Sequence, residues 1–266
     1  MDRKTAEKNR YTMNSEIILG YDLDTWNAYG IAEPIVINLS PSTNSHILLC
    51  GMSGSGKSYL EREIFAKLSL AEVNGEIFFA DYKGDDGFLF LHECSRYYSY
   101  RNSLDALDMV HSRLLARQSG EDVTRTPVTF IWDEYMAAVL NLLAADKKKA
   151  AAVMGKVSEI LLLGRSLAVR FVCVCQRPDA LAFPVGSRLN YGVIVVLGAA
   201  VRSIYEMLLP DFREQVQGRQ FNRGEGVVLL QGSELRYIKV PTVRNMERLE
   251  RLCSEALNYC RPPREA

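Results

Sequence analysis

The chain has 266 residues, 48% of them hydrophobic, and its 32 basic residues balance its 32 acidic residues. This composition is typical of a globular protein with a substantial core, and it argues against a protein that coats nucleic acid non-specifically. No stretch approaches the roughly 18 apolar residues that span a bilayer. The charged start, Met1 to Arg10, lacks the apolar region of a signal peptide. We therefore expect a cytoplasmic protein with no membrane segment of its own.

The chain contains 6 cysteines, and only Cys173 and Cys175 lie close together in sequence. These two alternate within an apolar run, so they should share one face of a strand. Metal-binding and redox pairs usually have two residues between the cysteines, and no second pair or nearby histidine completes a site. We expect buried free thiols, as in a reducing compartment.

Apolar runs separated by polar and glycine-containing turns predict alternating strands and helices. Residues 1–15 are polar and are expected to form a flexible segment. Strands are predicted at 16–21, 34–39, 46–50, 77–80, 128–132, 169–175 and 192–197. Helices are predicted at 57–73, ended by Asn74-Gly75, then behind a cap at Asn102 or Ser103, and at 146–167 and 243–259. With no repeat or linker visible, residues 16–266 should form a single domain.

The internal strands are continuously apolar, as expected when helices cover both faces of a parallel sheet. Near the end, Gly226 to Leu230 and Leu235 to Val240 flank a polar turn at 231–234, which predicts a β-hairpin. The expected fold class is α/β, with a mostly parallel central sheet, helices on both faces and a C-terminal β-hairpin.

One segment matches the phosphate-loop pattern G-x-x-x-x-G-K-[ST] completely. It lies between an apolar strand and a helix, which is the context that the pattern needs. Its backbone N–H groups and the positive helix end can hold phosphates, Lys57 can reach the β- and γ-phosphates, and the Ser58 hydroxyl can ligate Mg²⁺. The sequence thus predicts a site for ATP and Mg²⁺ formed by Gly51, Met52, Ser53, Gly54, Ser55, Gly56, Lys57, Ser58 and Tyr59.

A second part of this site is predicted where the apolar strand 128–132 ends in Asp133 and Glu134. Beside a phosphate loop, Asp133 would hold the magnesium ion and Glu134 would polarise the attacking water. A second acid at this position favours hydrolysis over phosphoryl transfer to a substrate.

Two further residues are candidates for catalysis. Gln176 ends the strand 169–175, where an amide can sense the γ-phosphate. Arg165 lies at the end of the long helix before that strand, and in a ring it could reach the γ-phosphate of a neighbouring subunit. Arg170, Arg177, Arg202 and Arg219 compete for that role.

These residues resemble those of the FtsK/SpoIIIE-type DNA translocases, over about residues 17 to 241. The most selective part is Gly164-Arg165-Ser166 leading into Cys175-Gln176-Arg177-Pro178. Other similar stretches are Leu19-Gly20-Tyr21-Asp22, Asp81-Tyr82-Lys83-Gly84, Trp132-Asp133-Glu134-Tyr135, Arg202-Ser203 and Gly224-Glu225-Gly226.

The resemblance implies a RecA-like motor core, a homo-hexameric ring and double-stranded DNA driven through its pore by ATP hydrolysis. Large family members carry a membrane segment before the motor and a winged-helix domain after it, and this chain shows neither. It is therefore similar to the compact motors of conjugative and integrative elements, or to a motor trimmed from a longer protein. Such a motor would meet a relaxase or a membrane-anchored partner.

Three alternatives stay open at this point. In the first, the chain moves duplex DNA. In the second, it moves single-stranded DNA or protein, as a type IV coupling protein or a secretion ATPase does. In the third, it is a nucleotide-gated scaffold without motor activity. Lys147 to Lys149 and the segment 211–222 are candidates for the pore. His46 precedes the phosphate strand, so we expect a structural role for it.

Overall fold

A computed structural model describes residues 16–39, 46–72, 74–183 and 187–258. The first half contains β1 (Glu16–Asp22), α1 (Leu23–Tyr29), β2 (Pro34–Asn38), β3 (His46–Gly51), α2 (Lys57–Ala71), β4 (Glu76–Asp81), β5 (Tyr97–Ser99), α3 (Ser103–Ser119) and β6 (Val128–Asp133). The second half contains α4 (Tyr135–Ala145), α5 (Lys147–Leu163), β7 (Val169–Cys175), β8 (Tyr191–Leu197), α6 (Arg202–Leu208), α7 (Arg213–Val216), β9 (Glu225–Leu230), β10 (Glu234–Lys239) and α8 (Met246–Asn258). The predicted flexible segment 1–15 lies outside the described residues, as does Cys260.

The strands form a 10-stranded sheet in the order β2-β1-β10-β9-β8-β3-β7-β6-β4-β5. Every pairing from β8 to β5 is parallel, and every pairing from β2 to β8 is antiparallel. The α/β class and the hairpin of β9 and β10 are confirmed. The antiparallel part is larger than the hairpin alone, because β1 pairs with β10 and carries β2 with it.

Apolar side chains on the two faces of the sheet form two separate cores. One core packs β6 and β7 against α3, α4 and α5, and it includes Trp132, Tyr135 and Phe171. The other packs β3 and β4 against α2 and α8, and it includes Phe65, Phe79 and Leu257. Strands β3, β6 and β7 are buried at every position, which explains why their sequences are continuously apolar.

Several predicted boundaries are wrong. Helix α2 ends at Ala71, and its backbone leaves the helical region at Glu72, so Asn74-Gly75 does not cap it. Residue 73 lies outside the described residues. The long helix predicted at 146–167 ends at Leu163, because Gly164 begins a turn in which its carbonyl accepts hydrogen bonds from the N–H groups of Leu167 and Val169.

Five elements were not predicted, namely helices α1, α4, α6 and α7 and strand β5. Helix α1 is capped by Asp22, which accepts from the Thr25 N–H, and it ends at Gly30 in a left-handed conformation. Helix α4 precedes α5, separated from it only by Asp146, whose carboxylate caps α5 through the N–H groups of Lys148 and Lys149. Strand β5 has only 3 residues.

Helix α8 begins later than predicted, at Met246, where the Asn245 side chain accepts the Arg248 N–H. It packs on α2 and the sheet, and it buries Cys253 and Leu257 completely. Within the described ranges, no helix combines the length and the apolar character needed to cross a membrane.

Candidate active site

Strands β3, β6 and β7 lie side by side and run parallel, so their carboxyl ends meet at one edge of the sheet. The phosphate loop follows β3, the acids Asp133 and Glu134 lie at the end of β6, and Gln176 follows β7. Strand β4, paired with β6 in register, adds Asp81 and the turn behind it to the same edge. Topology therefore brings together residues that are more than a hundred positions apart in the sequence, as Gly51 and Gln176 are.

The phosphate loop depends on its glycines. Gly54 and Gly56 have φ angles of 83° and 96°, which other residues rarely adopt. A Cβ on Gly51 would lie 2.4 Å from the Ser55 Oγ, and that hydroxyl is itself buried with no hydrogen-bond partner in the structure. The loop is thus a tight backbone cradle, as a site for phosphate requires.

A cavity of about 170 Å³ opens at this edge and gathers most of the predicted site. Gly51 and Ser55 lie beneath its surface and shape the loop from below. The predicted residues that line it are Met52, Ser53, Gly54, Gly56, Lys57, Ser58, Tyr59, Asp133, Glu134 and Gln176.

Lys57 is held between the two acids. Its Nζ lies 2.9 Å from Asp133 Oδ1 and 3.1 Å from Glu134 Oε1, and all three side chains are buried. Burial lowers the pKa of Lys57, but the carboxylates of Asp133, Glu61 and Glu134 outweigh it and hold that pKa above its ordinary value. For Asp133, burial prevails over the attraction of Lys57 and raises its pKa to about 6.

Glu134 has a strained backbone. Its φ of 56° lies in the left-handed region, where a non-glycine residue is uncommon, and it connects the last residue of β6 to the first residue of α4. Strain of this kind persists only where the surroundings enforce it, and it concentrates at functional sites. Here it keeps the Glu134 carboxylate beside Lys57.

The turn after β4 resembles the family in sequence, but the sequence predicts no role for it in the site. Asp81 is fully buried and accepts hydrogen bonds from the N–H groups of Gly84 and Asp85 and from the Tyr97 hydroxyl. These bonds fix the turn so that Lys83 and Asp85, whose charges are 3.1 Å apart, line the cavity. The position of Asp81 at a strand end was the signal for this part of the site.

Three more residues of the site were not predicted from the sequence. Arg62 and Arg223 line the cavity, and Glu61 lies behind it. Both Glu61 carboxylate oxygens are buried without a hydrogen-bond partner, and burial, followed by the Asp133 charge, raises the pKa of Glu61 well above its ordinary value. Its spacing of four from Lys57 on a helix could have indicated the contact, whereas nothing local indicates Arg223.

Arg165 lies two residues past α5 and four residues before β7 begins, at the amino end of that strand. This is the edge of the sheet opposite the cavity, so Arg165 does not reach the phosphate loop of its own subunit. Its side chain is exposed, and among the described residues it has no hydrogen-bond or ion-pair partner.

The competing arginines differ in how strongly they are engaged. Arg170 is buried in an ion pair with Glu72 at 2.7 Å, and Arg202 pairs with Glu206 at 2.7 Å. Arg219 pairs with Asp24, and its guanidinium lies 3.5 Å from the centre of the Tyr237 ring. Arg177 is exposed.

His46 lies at the amino end of β3, away from the cavity, and is 1% exposed. Its Nδ1 accepts the Phe171 N–H at 2.9 Å, which ties β3 to β7. Burial, and then the charges of Arg170 and Arg165, lower the pKa of His46 to about 3, so the ring is neutral. These contacts support the structural role that we expect for it.

Cys173 and Cys175 are buried and free of disulfides, as expected. Cys50 lies in register with Cys175 on the neighbouring strand, directly beneath the phosphate loop. Across the described residues, no group of three or more His, Cys, Asp or Glu side chains is arranged to hold a metal ion.

No protein-family model and no curated protein matches the chain in sequence. Solved structures match it in fold. The cytoplasmic domain of the Thermomonospora curvata type VII secretion ATPase EccC has a TM-score of 0.66 and 19% identity, over 93% of this chain and 31% of that one. The pCW3 conjugation coupling protein TcpA, a monomer with ATPγS, has a TM-score of 0.68 and 18% identity, over 90% of this chain and 68% of that one.

A third similar structure is EssC (ATPases 2 and 3) from Geobacillus thermodenitrificans, with a TM-score of 0.67 and 13% identity, over 92% of this chain and 49% of that one. The chain thus spans less than half the length of EccC and of EssC. These proteins are FtsK/SpoIIIE-type P-loop ATPases, and their likeness confirms the predicted RecA-like P-loop fold.

Proposed function

We propose that this chain is an ATP-hydrolysing motor that translocates double-stranded DNA through a homo-oligomeric ring, in the transfer or maintenance of a mobile element. One observation carries the proposal. A single cavity gathers the phosphate loop, the Lys57–Asp133–Glu134 charge cluster and Gln176 at the carboxyl edge of the sheet.

The cavity suits Mg–ATP. The glycine cradle leaves room for phosphate oxygens, and Ser58 and Asp133 offer the hard oxygen ligands that Mg²⁺ prefers. Bound Mg–ATP supplies the phosphoryl group whose transfer to water releases the energy for movement. Ser58 and Asp133 would hold the metal ion.

Lys57, Glu134 and Gln176 have separate roles in the proposed hydrolysis. Lys57 donates to the phosphate oxygens and stabilises the negative charge that they carry in the transition state. Glu134 orients the attacking water and accepts its proton. Gln176 lines the same cavity, where its amide would bind the terminal phosphate and lose that contact when the phosphate leaves, which connects hydrolysis to movement of β7.

The most specific part of the proposal is the identity of the polymer that the motor moves. Support for DNA comes from the likeness to a conjugation coupling protein and from the exposed Lys147, Lys148 and Lys149 at the start of α5, whose charges suit a phosphate backbone. A second candidate is protein cargo, because one of the similar structures, EccC, is a secretion ATPase and the net charge of the chain is zero. A scaffold that binds nucleotide without turnover would not need Lys57, Asp133 and Glu134 together.

The test is the ATPase rate at fixed low salt with duplex DNA, with single-stranded DNA and with no polymer. We expect stimulation by duplex DNA. Stimulation by the single strand alone would assign the chain to the coupling proteins, and stimulation by neither would favour protein cargo. No turnover under any condition would support the scaffold.

Glu134→Gln tests the hydrolytic residue. The amide cannot accept a proton, so turnover should fall by about 100-fold or more, within the range for loss of general-base catalysis. ATP binding, measured by equilibrium titration, should persist. Glu121→Gln, a change at an exposed acid outside the cavity, serves as the control. Persisting turnover in Glu134→Gln would show that another group activates the water.

A further inference from the structure

Four cationic side chains line the cavity, and they differ in whether a carboxylate already neutralises them. Lys57 pairs with Asp133 and Glu134, Lys83 pairs with Asp85 at 3.1 Å, and Arg62 pairs with Glu250 at 3.3 Å. Arg223 is exposed, and within the described ranges it has neither an ion pair nor a hydrogen bond. It is the cavity cation that needs no rearrangement before it meets an anion.

The backbone at Arg223 is fixed against the phosphate loop. The Gly224 N–H donates to the Ser55 carbonyl at 2.8 Å, and the Gly224 carbonyl accepts the Val240 N–H at 2.7 Å. The phosphate loop and the turn at Arg223 are so close that a Cβ on Gly56 would lie 3.3 Å from the Gly224 nitrogen and 3.9 Å from the Arg223 Cγ. Gly224 has a φ of 77°, a conformation that glycine accepts freely. The turn is therefore rigid, and only the Arg223 side chain is left free.

We propose that Arg223 binds the phosphate chain of the nucleotide held by the phosphate loop of the same subunit. A guanidinium offers several N–H donors in a planar fork that matches phosphate oxygens, and the charge makes each hydrogen bond strong. The inference rests on the proposed nucleotide site and adds to it a ligand residue from the opposite half of the chain.

The position of Arg223 gives this contact a consequence. Arg223 immediately precedes the Gly224–Glu225 step into β9, and the segment before it, 211–222, is one of the two candidates for the pore. A phosphate bound at Arg223 would join that segment to the phosphate loop through both its side chain and the Ser55–Gly224 hydrogen bond. Loss of the terminal phosphate would leave only the hydrogen bond.

The first experiment measures equilibrium binding of ATPγS and of inorganic tripolyphosphate, each with Mg²⁺, to wild type, Arg223→Ala and Arg223→Lys. We expect Arg223→Ala to lose about 10- to 100-fold in affinity for both probes, which is the usual effect of removing charged hydrogen bonds. Lysine keeps the charge but not the fork, so Arg223→Lys should recover part of the loss. Arg244→Ala, at an exposed arginine after β10 and outside this cavity, should bind both probes as wild type does.

Three outcomes would overturn the inference. Unchanged affinity in Arg223→Ala would remove Arg223 from the site. A loss for ATPγS with none for tripolyphosphate would place the arginine on the base or the sugar. A loss that appears only at protein concentrations where subunits associate would assign the arginine to a neighbouring site. If wild type binds neither probe, the proposed function fails instead, so the two failures are distinguishable.

Hydrogen exchange gives a readout that is independent of turnover. In wild type, ATPγS with Mg²⁺ should slow amide exchange both at the phosphate loop and at 219–226. In Arg223→Ala, protection should remain at the loop and be lost at 219–226. Protection of 219–226 that survives the substitution would contradict a contact through the side chain.

Discussion

At the scale of single residues, the site is organised by charges that are buried before a ligand binds. Lys57 neutralises Asp133 and Glu134. Glu61 lies close behind these two acids, and its carboxylate is buried without a hydrogen-bond partner among the described residues. A lone buried carboxylate is costly, which is why the pKa of Glu61 is raised by its burial. The resulting cluster has one cation for several acids, and it is suited to accept the further positive charge of a metal ion.

His46 provides a test of buried charge away from the cavity. Its folded-state pKa is about 3, against an ordinary value of 6.5, because of its burial and the nearby charges of Arg170 and Arg165. Above pH 6.5 the ring is neutral whether the chain is folded or unfolded. Below it, only the unfolded chain takes up the proton, so the free energy of unfolding should fall with pH by about 1.4 kcal/mol per unit, down to about pH 3.

The measurement is urea unfolding of wild type and His46→Asn at several pH values from 7 to about 4. The asparagine oxygen can accept the Phe171 N–H but does not titrate. Carboxylates titrate in both proteins, so the difference between the two curves isolates His46. Parallel curves would show that the ring is already protonated, or exposed, in the folded protein.

The sequence predicted those residues of the site that belong to a short, continuous sequence pattern. The phosphate loop is a continuous motif, and Asp133 and Glu134 end an apolar strand, so their identity and their edge of the sheet followed directly. Arg62 and Arg223 could not be predicted in this way. Arg223 reaches the cavity only because β9 pairs with β8 beside the phosphate strand, and no local pattern encodes that pairing.

At the scale of elements, helix α2 is fixed at both ends. Its first turn carries Lys57 and Ser58, and the residue after its last turn is Glu72. The Glu72 carboxylate binds the Arg170 guanidinium through two hydrogen bonds, of 2.7 and 2.9 Å, and Arg170 also donates to Thr129. The buried ion pair thus joins α2 to β6 and β7, the strands that carry Asp133 and Gln176.

Breaking this pair should destabilise the fold strongly. Glu72→Ala leaves the Arg170 charge buried without its carboxylate, and we expect a loss of about 3–5 kcal/mol in the free energy of unfolding. Guanidinium chloride denaturation measures it. Glu255→Ala, which removes an exposed partner of Arg251 3.9 Å away, should cost less than about 1 kcal/mol.

The double variant Glu72→Leu with Arg170→Met removes both charges and should recover most of the stability. A Glu72→Ala variant as stable as the Glu255→Ala control would show that water or another group already compensates Arg170. Failure of the double variant alone would mean that packing, and not charge, sets the cost.

The helices and strands also show which features a local sequence pattern predicts and which it does not. Long apolar strands were predicted within a residue or two, because burial on both faces leaves a continuous signal. Helix α4 was missed, since it is apolar on more than one side and is separated from α5 only by Asp146. The pairing of β1 with β10 joins opposite ends of the chain, so no neighbouring residues could have indicated it.

At the scale of the whole molecule, the two predicted catalytic regions lie at opposite edges of the sheet. Lys57, Asp133, Glu134 and Gln176 follow the carboxyl ends of the strands, whereas Arg165 precedes the amino end of β7. Arg165 is exposed, and Leu162 and Leu163 beside it are 63% and 37% exposed. A free arginine among exposed leucines is an arrangement that a second subunit would complete.

The ring hypothesis can be tested by complementation between two inactive variants. Arg165→Ala should keep its ATP affinity but lose about 1,000-fold or more in turnover, as when an arginine finger is removed. Glu134→Gln should be inactive for a different reason, because it keeps Arg165 but lacks the base. In a mixed ring, the intact Glu134 site of an Arg165→Ala subunit would receive Arg165 from a Glu134→Gln neighbour, so mixing the two should restore part of the ATPase rate.

Arg125→Ala is the matched control, because Arg125 is exposed near the amino end of β6, at the same edge of the sheet. It should leave turnover unchanged. If Arg165→Ala is active on its own, Arg165 is not the finger, and exposed Arg177 becomes the next candidate. If the variant is inactive and mixing restores nothing, although mass measurement shows mixed oligomers, Arg165 acts within its own subunit. Recovery that rises and falls with the mixing ratio is expected only when each site takes its arginine from a neighbour.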